Sequence, residues 1–278
     1  MLNRLKPRRE IEAYKCSLAI GPRRRQQQQE ETAASAMQRL RILDVGAGPL
    51  STLGNECRGR PVELIPTDLL APAYDRTLDD LGVQPPVRTR HAAAEQLTRH
   101  FALEFFDLVH CSNALDHAQN PFVALVSMLS VVKRGHAVVI TTRVNESKTM
   151  QGTGMHRYDL FADAREHFIL SPADGTRALD VTAVLEDSGA ARVSLRLEPV
   201  WRPDGGGVKD ARDCPMAAPH DCRMVITVTR TAATGKMARL AQQYAQGGSV
   251  ETHRPTRAAA RSAYDVLRSY VERWVSGR

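Results

Sequence analysis

The segment RILDVGAGPLSTLGNECRGR, residues 41–60, decides the predicted fold. It begins with an apolar run that is typical of a buried strand, and Asp44 stands near the end of that run. Gly46 and Gly48 then allow a sharp turn and a close approach of a ligand to the backbone. We expect a helix to start near Ser51 and to direct its free amides at the same turn, where they would favour an anionic group.

Strand and helix candidates alternate after this segment. The strands are predicted in LRILDV, VELIPTDLL, PVRTRH, FFDLVHCSN and HAVVITT, and the main helices in APAYDRTLDDLG and NPFVALVSMLSVVKRG. Asn120 can cap the second helix, Pro121 suits its first position and Gly135 should stop it. Two later strand candidates, ARVSLRLEPVW and CRMVITVTR, are expected to be antiparallel because a loop-like segment joins them. The pattern predicts an α/β fold with a mostly parallel sheet and an antiparallel final strand.

Charge is distributed unevenly along the 278 residues. Residues 1–40 carry nine Lys/Arg against four Asp/Glu, and residues 231–278 carry eight against three. Residues 41–230 carry twenty-one against twenty-four. The basic character therefore belongs to the two ends, which speaks against a basic nucleic-acid groove through the central part.

Features of a secreted, membrane-spanning or metal-binding protein are not evident in the sequence. No apolar run approaches the roughly 20 residues needed to cross a bilayer, and the N-terminus lacks a secretory pattern. The five widely spaced cysteines fit reduced thiols, so we expect a cytoplasmic protein. Cys214, His220 and Cys222 lack a fourth ligand and a Cys-x-x-Cys core, and no metal site is expected.

Asp44 narrows the choice of ligand. A carboxylate two residues before the turn would repel a pyrophosphate, and Ser51 stands where a dinucleotide fingerprint would have its third glycine. An acid at this place suits an ammonium or sulfonium, while the turn amides suit a carboxylate. S-adenosylmethionine carries both charges together with an adenosine.

The segments LDVGAGP, VELIPTDLL, RHAAAEQL and FDLVHCSNALDH, in this order, resemble the class I S-adenosylmethionine-dependent methyltransferases over residues 40–142. The resemblance implies a three-layer Rossmann-like methyltransferase fold and S-adenosylmethionine as the cofactor. The resemblance extends to residue 230, which gives a methyltransferase domain at 40–230. Charge and low complexity predict a basic N-terminal arm at 1–39, and an amphipathic pattern predicts a C-terminal helical extension at 231–278. The last helix of that extension is expected over 255–275.

The same resemblance implies a set of cofactor-binding residues. Asp44, Gly46 and Gly48 would shape the methionine end, Asp68 would take the ribose hydroxyls and Leu69 would cover one face of the adenine. Ala94 would contact the adenine through its backbone, because Ala93 stands where many members have an acid. The remaining residues implied are Glu95, Cys111, Ser112 and Asn113. Asp68 could instead cap the helix that follows it, and Glu95 could instead be a residue of a helix start.

Asp116, His117 and His156 are the catalytic candidates. Asp116 and His117 follow the fourth strand at the mouth of the sheet, where they could orient or deprotonate an acceptor hydroxyl, or serve only in turns and caps. His156 belongs to TRVNESKTMQGTGMHRYDLF, a polar segment that we expect to act as a lid loop. A surface histidine is the alternative interpretation of His156.

Methylation of a small molecule at oxygen is the leading interpretation. One alternative is an RNA or protein acceptor, bound through the basic termini. A second is a cofactor-binding module without catalysis, and a nicotinamide dehydrogenase fits least. The fourth strand is followed by SNAL rather than by an Asn-Pro-Pro-Tyr-type tetrapeptide, which speaks against methylation of a base amine.

Overall fold

The structure is a computed structural model that describes residues 39–57, 59–149, 155–199 and 222–245. Residues 1–38 of the predicted basic arm, and the helix predicted over 255–275, lie outside the described residues. Cys214 and His220 lie outside them as well.

The strands of the described residues form two sheets. They are β1 (Leu40–Val45), β2 (Glu56–Cys57), β3 (Arg60–Asp68), β4 (Arg90–His91), β5 (Phe106–Ser112), β6 (Val132–Arg143), β7 (Tyr158–Ala162), β8 (Phe168–Pro172), β9 (Leu179–Asp180), β10 (Ala191–Pro199) and β11 (Cys222–Arg230). The helices are α1 (Ala71–Asp80), α2 (Pro121–Val131), α3 (Glu146–Thr149), α4 (Val181–Asp187) and α5 (Thr234–Ala245), with 3₁₀ segments at Ala94–Arg99 and Leu115–His117.

The large sheet has the predicted mixture of strand directions. Its order is β10-β11-β6-β5-β1-β3, and β2 and β4 both pair with β3. β1 lies between β3 and β5 and is parallel to both, and β5 is parallel to β6. β11 is antiparallel to β6 and to β10. The α/β fold with a mostly parallel sheet and an antiparallel strand near its end is therefore confirmed.

Helix α2 is the most deeply buried helix of the described chain. Ten of its residues are buried, and Asn120 caps it by accepting the Val123 N–H at 3.0 Å. Helix α5 belongs to the same core, because Met237 and Leu240 pack in the main hydrophobic cluster. Residues from the predicted C-terminal extension thus complete the core of the main domain.

The helix predicted near Ser51 is absent from the structure, so that prediction was wrong. Residues 51–54 form no regular element, and β2 then pairs antiparallel with the start of β3. The Ser51 hydroxyl accepts the Leu53 N–H at 3.1 Å, which offers the backbone a local alternative to a helical bond. The amides of a helix N-terminus, which were expected to point at the turn after β1, are therefore not present there.

Helix α2 ends earlier than predicted, at Val131 rather than near Gly135. The chain passes directly into β6, and Gly135 lies within that strand at φ +80°. Two backbone amides from the loop before β5 donate to the last carbonyl oxygens of α2: the Glu104 N–H to Ser130 and the Phe105 N–H to Val131. These contacts satisfy the helix end without a glycine cap.

The segment expected to be a lid loop contains regular structure in its described parts. It includes α3 and the first residues of β7. β7 pairs with β8 and β8 with β9, both antiparallel, so that a three-stranded second sheet follows the large one along the chain. The connection between β8 and β9 contains Asp174 and Gly175.

Two further observations bear on the expected cellular setting. Within the described residues, no helix has the length and apolar character needed to cross a membrane. Cys111 is a buried free thiol, whereas Cys57 is disulfide-bonded. The expectation of reduced thiols is therefore wrong at Cys57.

A fully buried arginine ties the end of α2 to the C-terminal part of the domain. Arg230 is 0% exposed. Its guanidinium donates to the carbonyl oxygens of Ser130, Val132 and Ala232, the Glu104 carboxylate and the Thr234 hydroxyl at 2.8–3.1 Å. Since one side chain donates to all of these acceptors, its loss would remove a hydrogen bond from each of them.

Arg230→Ala should lower the free energy of unfolding by at least about 2 kcal/mol, because it removes a fully buried side chain that donates to several buried carbonyl oxygens. Arg165→Ala is the control: the side chain of Arg165 is 65% exposed in its ion pairs, so its loss should cost no more than about 1 kcal/mol. Urea unfolding of the two variants measures both values. Equal losses would contradict the structural role of Arg230.

The turn after β1 packs closely against the segment that follows β5. Gly46 and Gly48 both have positive φ, at +68° and +67°. A Cβ on Gly46 would lie 2.3 Å from the Ala114 Cβ, whereas one on Gly48 would meet nothing within 4 Å. Only Gly46 is therefore required by space as well as by backbone conformation.

Gly46→Ala should destabilise the protein by about 2–5 kcal/mol, since left-handed strain adds to an overpacked contact. Gly48→Ala introduces the strain alone and should cost about 1–2 kcal/mol. Thermal or urea unfolding of the pair measures the difference. A Gly48 variant as damaged as the Gly46 variant would show that the contact with Ala114 is not the cause.

Candidate functional site

The polar residues singled out from the sequence meet at one edge of the large sheet. β3, β1, β5 and β6 run in the same direction, so their carboxyl ends lie side by side. Asp68 ends β3, Asp44 is the last residue but one of β1 and Ser112 ends β5. In an open α/β sheet this edge is the usual place for a ligand.

Asp44 is buried and held by protein groups on both of its carboxylate oxygens. Its side chain faces His110, the residue that pairs with it across β1 and β5, and Oδ1 lies 2.7 Å from His110 Nδ1. The Ser51 hydroxyl donates to Oδ2 at 2.5 Å. These two contacts fix the Asp44 carboxylate at the base of the turn.

Asp68 lies at the end of β3 and also supports the turn. Its carboxylate accepts the Gly48 N–H at 3.1 Å, the Leu70 N–H at 2.8 Å and a hydrogen bond from the Tyr74 hydroxyl. An ionised carboxylate offers about four acceptor positions, so about one remains for a ligand while all three donors stay in place. Burial raises the pKa of Asp68, against the effect of its backbone hydrogen bonds.

The residues expected around an adenine differ in what they contact. Leu69 follows Asp68 and is 54% exposed, so that its apolar surface is available to a ligand. Ala94 and Glu95 begin the 3₁₀ segment. Glu95 Oε1 accepts the N–H groups of Gln119 and Asn120 at 2.8 and 3.2 Å, and it therefore supports the start of α2.

The three residues at the end of β5 are in distinct environments. Cys111 is 1% exposed within the sheet, and burial raises the pKa of its thiol. Ser112 accepts a hydrogen bond from the Thr141 hydroxyl at 2.8 Å. Asn113 is exposed and has a positive φ of +47°, uncommon for a non-glycine residue and typical of functional turns.

Asp116, His117 and His156 are in direct contact, although 39 residues separate the two histidines in sequence. His156 Nδ1 lies 2.6 Å from Asp116 Oδ2 and 3.1 Å from His117 Nε2. Asp116 is 1% exposed, whereas both imidazoles are partly exposed. Burial lowers the pKa of His117, against the opposite effect of Asp116. We call these three residues the Asp-His-His cluster.

Further polar residues lie near this cluster. Asp68, at the end of β3, and Glu146, which follows β6, both interact electrostatically with His117. Asn145 has a φ of +51°, and its backbone N–H donates to the Leu160 carbonyl oxygen at 3.1 Å. Among the described residues, three buried oxygens here have no hydrogen-bond partner: Asp116 Oδ1, Asn145 Oδ1 and Glu146 Oε2.

The sequence-based prediction missed four residues of this region. His110, Tyr74, Asn145 and Glu146 were not among the predicted site residues. His110 could have been found, because a histidine in an otherwise apolar central strand needs a polar partner and the neighbouring strand contains Asp44. Asn145 and Glu146 carry no comparable signal, since they lie in a polar segment with many candidates.

Comparison with known families identifies the region that contains this edge. Residues 43–140 match the family model described as a methyltransferase domain. No curated protein matches the chain.

Several solved structures resemble the chain at low identity. The YcgJ protein of Bacillus subtilis is 15% identical, covers 70% of this chain and 94% of its own length, and has a TM-score of 0.40. The putative methyltransferase of Haloferax volcanii, in complex with the Trm112 activator, is 10% identical at 80% and 91% coverage, with a TM-score of 0.46. The N-methyltransferase NodS of Bradyrhizobium japonicum, in complex with S-adenosylhomocysteine, is 13% identical at 80% and 86% coverage, with a TM-score of 0.42.

The strand order, the acids at the ends of β1 and β3 and the family match lead to one conclusion. Residues 43–140 match a methyltransferase domain, the sheet around them has a Rossmann-like methyltransferase fold, and S-adenosylmethionine is the cofactor that this match supports.

Proposed function

We propose that this protein methylates an oxygen atom of a small-molecule acceptor, which it binds beside the Asp-His-His cluster. The observation that carries the proposal is the contact of His156 with Asp116 and His117. It joins the segment after β5 to the segment before β7 at the sheet edge that contains Asp44 and Asp68.

The residues of this edge suit the parts of the cofactor. The Asp44 carboxylate lies where it would favour a cationic group, and Asp68 retains an acceptor position for a ribose hydroxyl. The exposed Leu69 side chain would cover the adenine, and the space over Gly48 admits a ligand close to the backbone. When bound, S-adenosylmethionine supplies the methyl group on a sulfonium. A hold on both ribose hydroxyls would require Tyr74 to release Asp68.

The Asp-His-His cluster supplies polar atoms for the acceptor. Asp116 Oδ1 is buried and has no hydrogen-bond partner among the residues that the structure describes, and His117 and His156 are partly exposed. Such a group can orient a hydroxyl so that its oxygen lies in line with the methyl carbon and the leaving sulfur. Positioning is the main requirement for a displacement of this kind.

The surroundings of the cluster support a small acceptor. The segment that begins with Met155 is tied over the cluster: Arg157 N–H donates to the Asp116 carbonyl oxygen at 3.2 Å, and the Tyr158 hydroxyl donates to that of Gln119 at 3.1 Å. Met155 is 52% exposed and offers an apolar contact beside His156. Partly exposed imidazoles with a neighbouring segment bonded close to them and one exposed apolar residue suit a small molecule better than a nucleic-acid strand.

Asp68→Ala should weaken binding of S-adenosylhomocysteine by about 1.5–3 kcal/mol, because a charge-assisted hydrogen bond to the ribose is lost. Wild-type affinity should also fall with decreasing pH, and it should do so above the usual range of an aspartate because burial raises the pKa of Asp68. Isothermal titration calorimetry over a pH series measures both effects.

Tyr74→Phe is the control for Asp68, because it removes one competing donor and leaves the carboxylate in place. Its affinity should equal or exceed that of the wild type. Wild-type affinity in Asp68→Ala, with the fold intact by thermal unfolding, would remove Asp68 from the cofactor site.

Methyl transfer should depend on the Asp-His-His cluster more than cofactor binding does. With labelled S-adenosylmethionine and a panel of phenols, hydroxy acids and sugars, the wild type should methylate at least one hydroxyl compound. His156→Ala and Asp116→Asn should lower kcat by roughly 10²-fold, since the acceptor is no longer oriented, while S-adenosylhomocysteine still binds.

His167→Ala is the matched control, because His167 has an aspartate partner and a 28% exposed side chain outside this cluster. It should transfer methyl groups at the wild-type rate. Methylation of RNA or protein substrates alone, or of no hydroxyl compound in the panel, would contradict the proposed acceptor class.

A further inference from the structure

We propose that the Asp-His-His cluster is a binding site for one divalent transition-metal ion. The ligand atoms are Asp116 Oδ2, His117 Nε2 and His156 Nδ1. The sequence analysis expected no metal site and weighed only Cys214, His220 and Cys222 as ligands. The two histidines of this cluster come from distant segments that no motif joins.

The distances between these three atoms fit a shared ion. They are 2.6 Å from Asp116 Oδ2 to His156 Nδ1, 3.1 Å from His156 Nδ1 to His117 Nε2 and 3.6 Å from His117 Nε2 to Asp116 Oδ2. Atoms bonded to one ion at about 2.0–2.2 Å lie roughly 2.9–3.5 Å apart, which the observed distances bracket. A short movement of each side chain would place an ion between them.

Hydrogen bonding alone serves these three atoms poorly. If His156 Nδ1 carries a proton, it donates to Asp116 Oδ2 at 2.6 Å, and His117 Nε2 then faces a nitrogen that cannot accept a hydrogen bond. If His117 Nε2 carries the proton instead, it donates to His156 Nδ1. The short contact between His156 Nδ1 and Asp116 Oδ2 then contains no proton. A cation accepts a lone pair from each of the three atoms at once.

The charge around the cluster also favours a cation. Asp116 is 1% exposed, and its second oxygen, Oδ1, has no hydrogen-bond partner among the described residues. Glu146 and Asp68 interact with His117 and add negative charge nearby. Burying a carboxylate with so few donors is costly, and a bound cation would remove that cost.

The donor set indicates the type of ion. Two imidazole nitrogens and one carboxylate oxygen suit Zn²⁺, Co²⁺, Fe²⁺ or Ni²⁺ better than Ca²⁺ or Mg²⁺, which prefer oxygen ligands. Three protein ligands leave at least one coordination position open. The use of that position to hold an acceptor oxygen rests on the proposed function, whereas the binding of the ion does not.

A second cluster of a histidine and carboxylates has its charge balanced by an arginine side chain. Asp163, His167 and Asp180 also bring a histidine and two carboxylates together. Arg165 donates to both carboxylates at 2.8–2.9 Å, so that cluster already has its cation. It serves as the matched control.

Cobalt chloride is the probe, because Co²⁺ reports its ligands through its absorption spectrum. In equilibrium dialysis the full chain should bind about one Co²⁺, with visible bands of nitrogen and oxygen ligation and without intense thiolate-to-cobalt bands. Zn²⁺ should displace it. His156→Ala and the nearly isosteric Asp116→Asn should each weaken binding at least about tenfold, as expected for loss of a ligand.

His167→Ala should bind Co²⁺ like the wild type, with the same spectrum. Wild-type protein that binds no Co²⁺ would overturn the proposal, as would unchanged binding in both cluster variants or a thiolate spectrum that persists in them. Circular dichroism confirms that the variants are folded. Methyl transfer without metal binding would refute the metal site alone, and metal binding without methyl transfer would refute only the proposed function.

Discussion

The parallel pairing of β1 with β3 on one side and β5 on the other is the constraint on which the site depends. It places the ends of three strands at one edge and brings Asp44 opposite His110. The turn after β1 is held by β3: the amides of Gly46 and Ala47 donate to the Thr67 carbonyl oxygen, and the Asp68 carboxylate accepts the Gly48 amide. On the β5 side, Ala114 lies close to Gly46. These contacts support the turn where residues 51–54 form no regular element.

That arrangement explains which features could be predicted from the sequence. Strand ends followed by acids or by small polar residues indicate a shared edge, so the common position of Asp44, Asp68 and the residues after β5 could be predicted. The helix expected near Ser51 was not formed, because Ser51 bonds to Asp44 and to the Leu53 amide instead. Contacts between distant segments, such as that of His110 with Asp44, follow from strand register and are not visible in a local pattern.

The meeting of His156 with Asp116 and His117 is the part of the site that depends most on tertiary structure. Each residue was a candidate on its own, but their contact requires α3 and β7 to return to the sheet edge after β6. Two buried oxygen atoms near the two imidazoles, Asp116 Oδ1 and Glu146 Oε2, have no hydrogen-bond partner in the described part of the chain. Such a concentration of polar groups without partners is costly to fold, and it is typical of a site that binds a ligand.

A crystal structure of the full chain with S-adenosylhomocysteine tests the central claim most directly. The account predicts that the ribose lies against Asp68, that the adenine lies on Leu69, and that the sulfur faces the Asp-His-His cluster across the end of β5. A ligand bound elsewhere, or one whose sulfur points away from Asp116 and His156, would contradict the account.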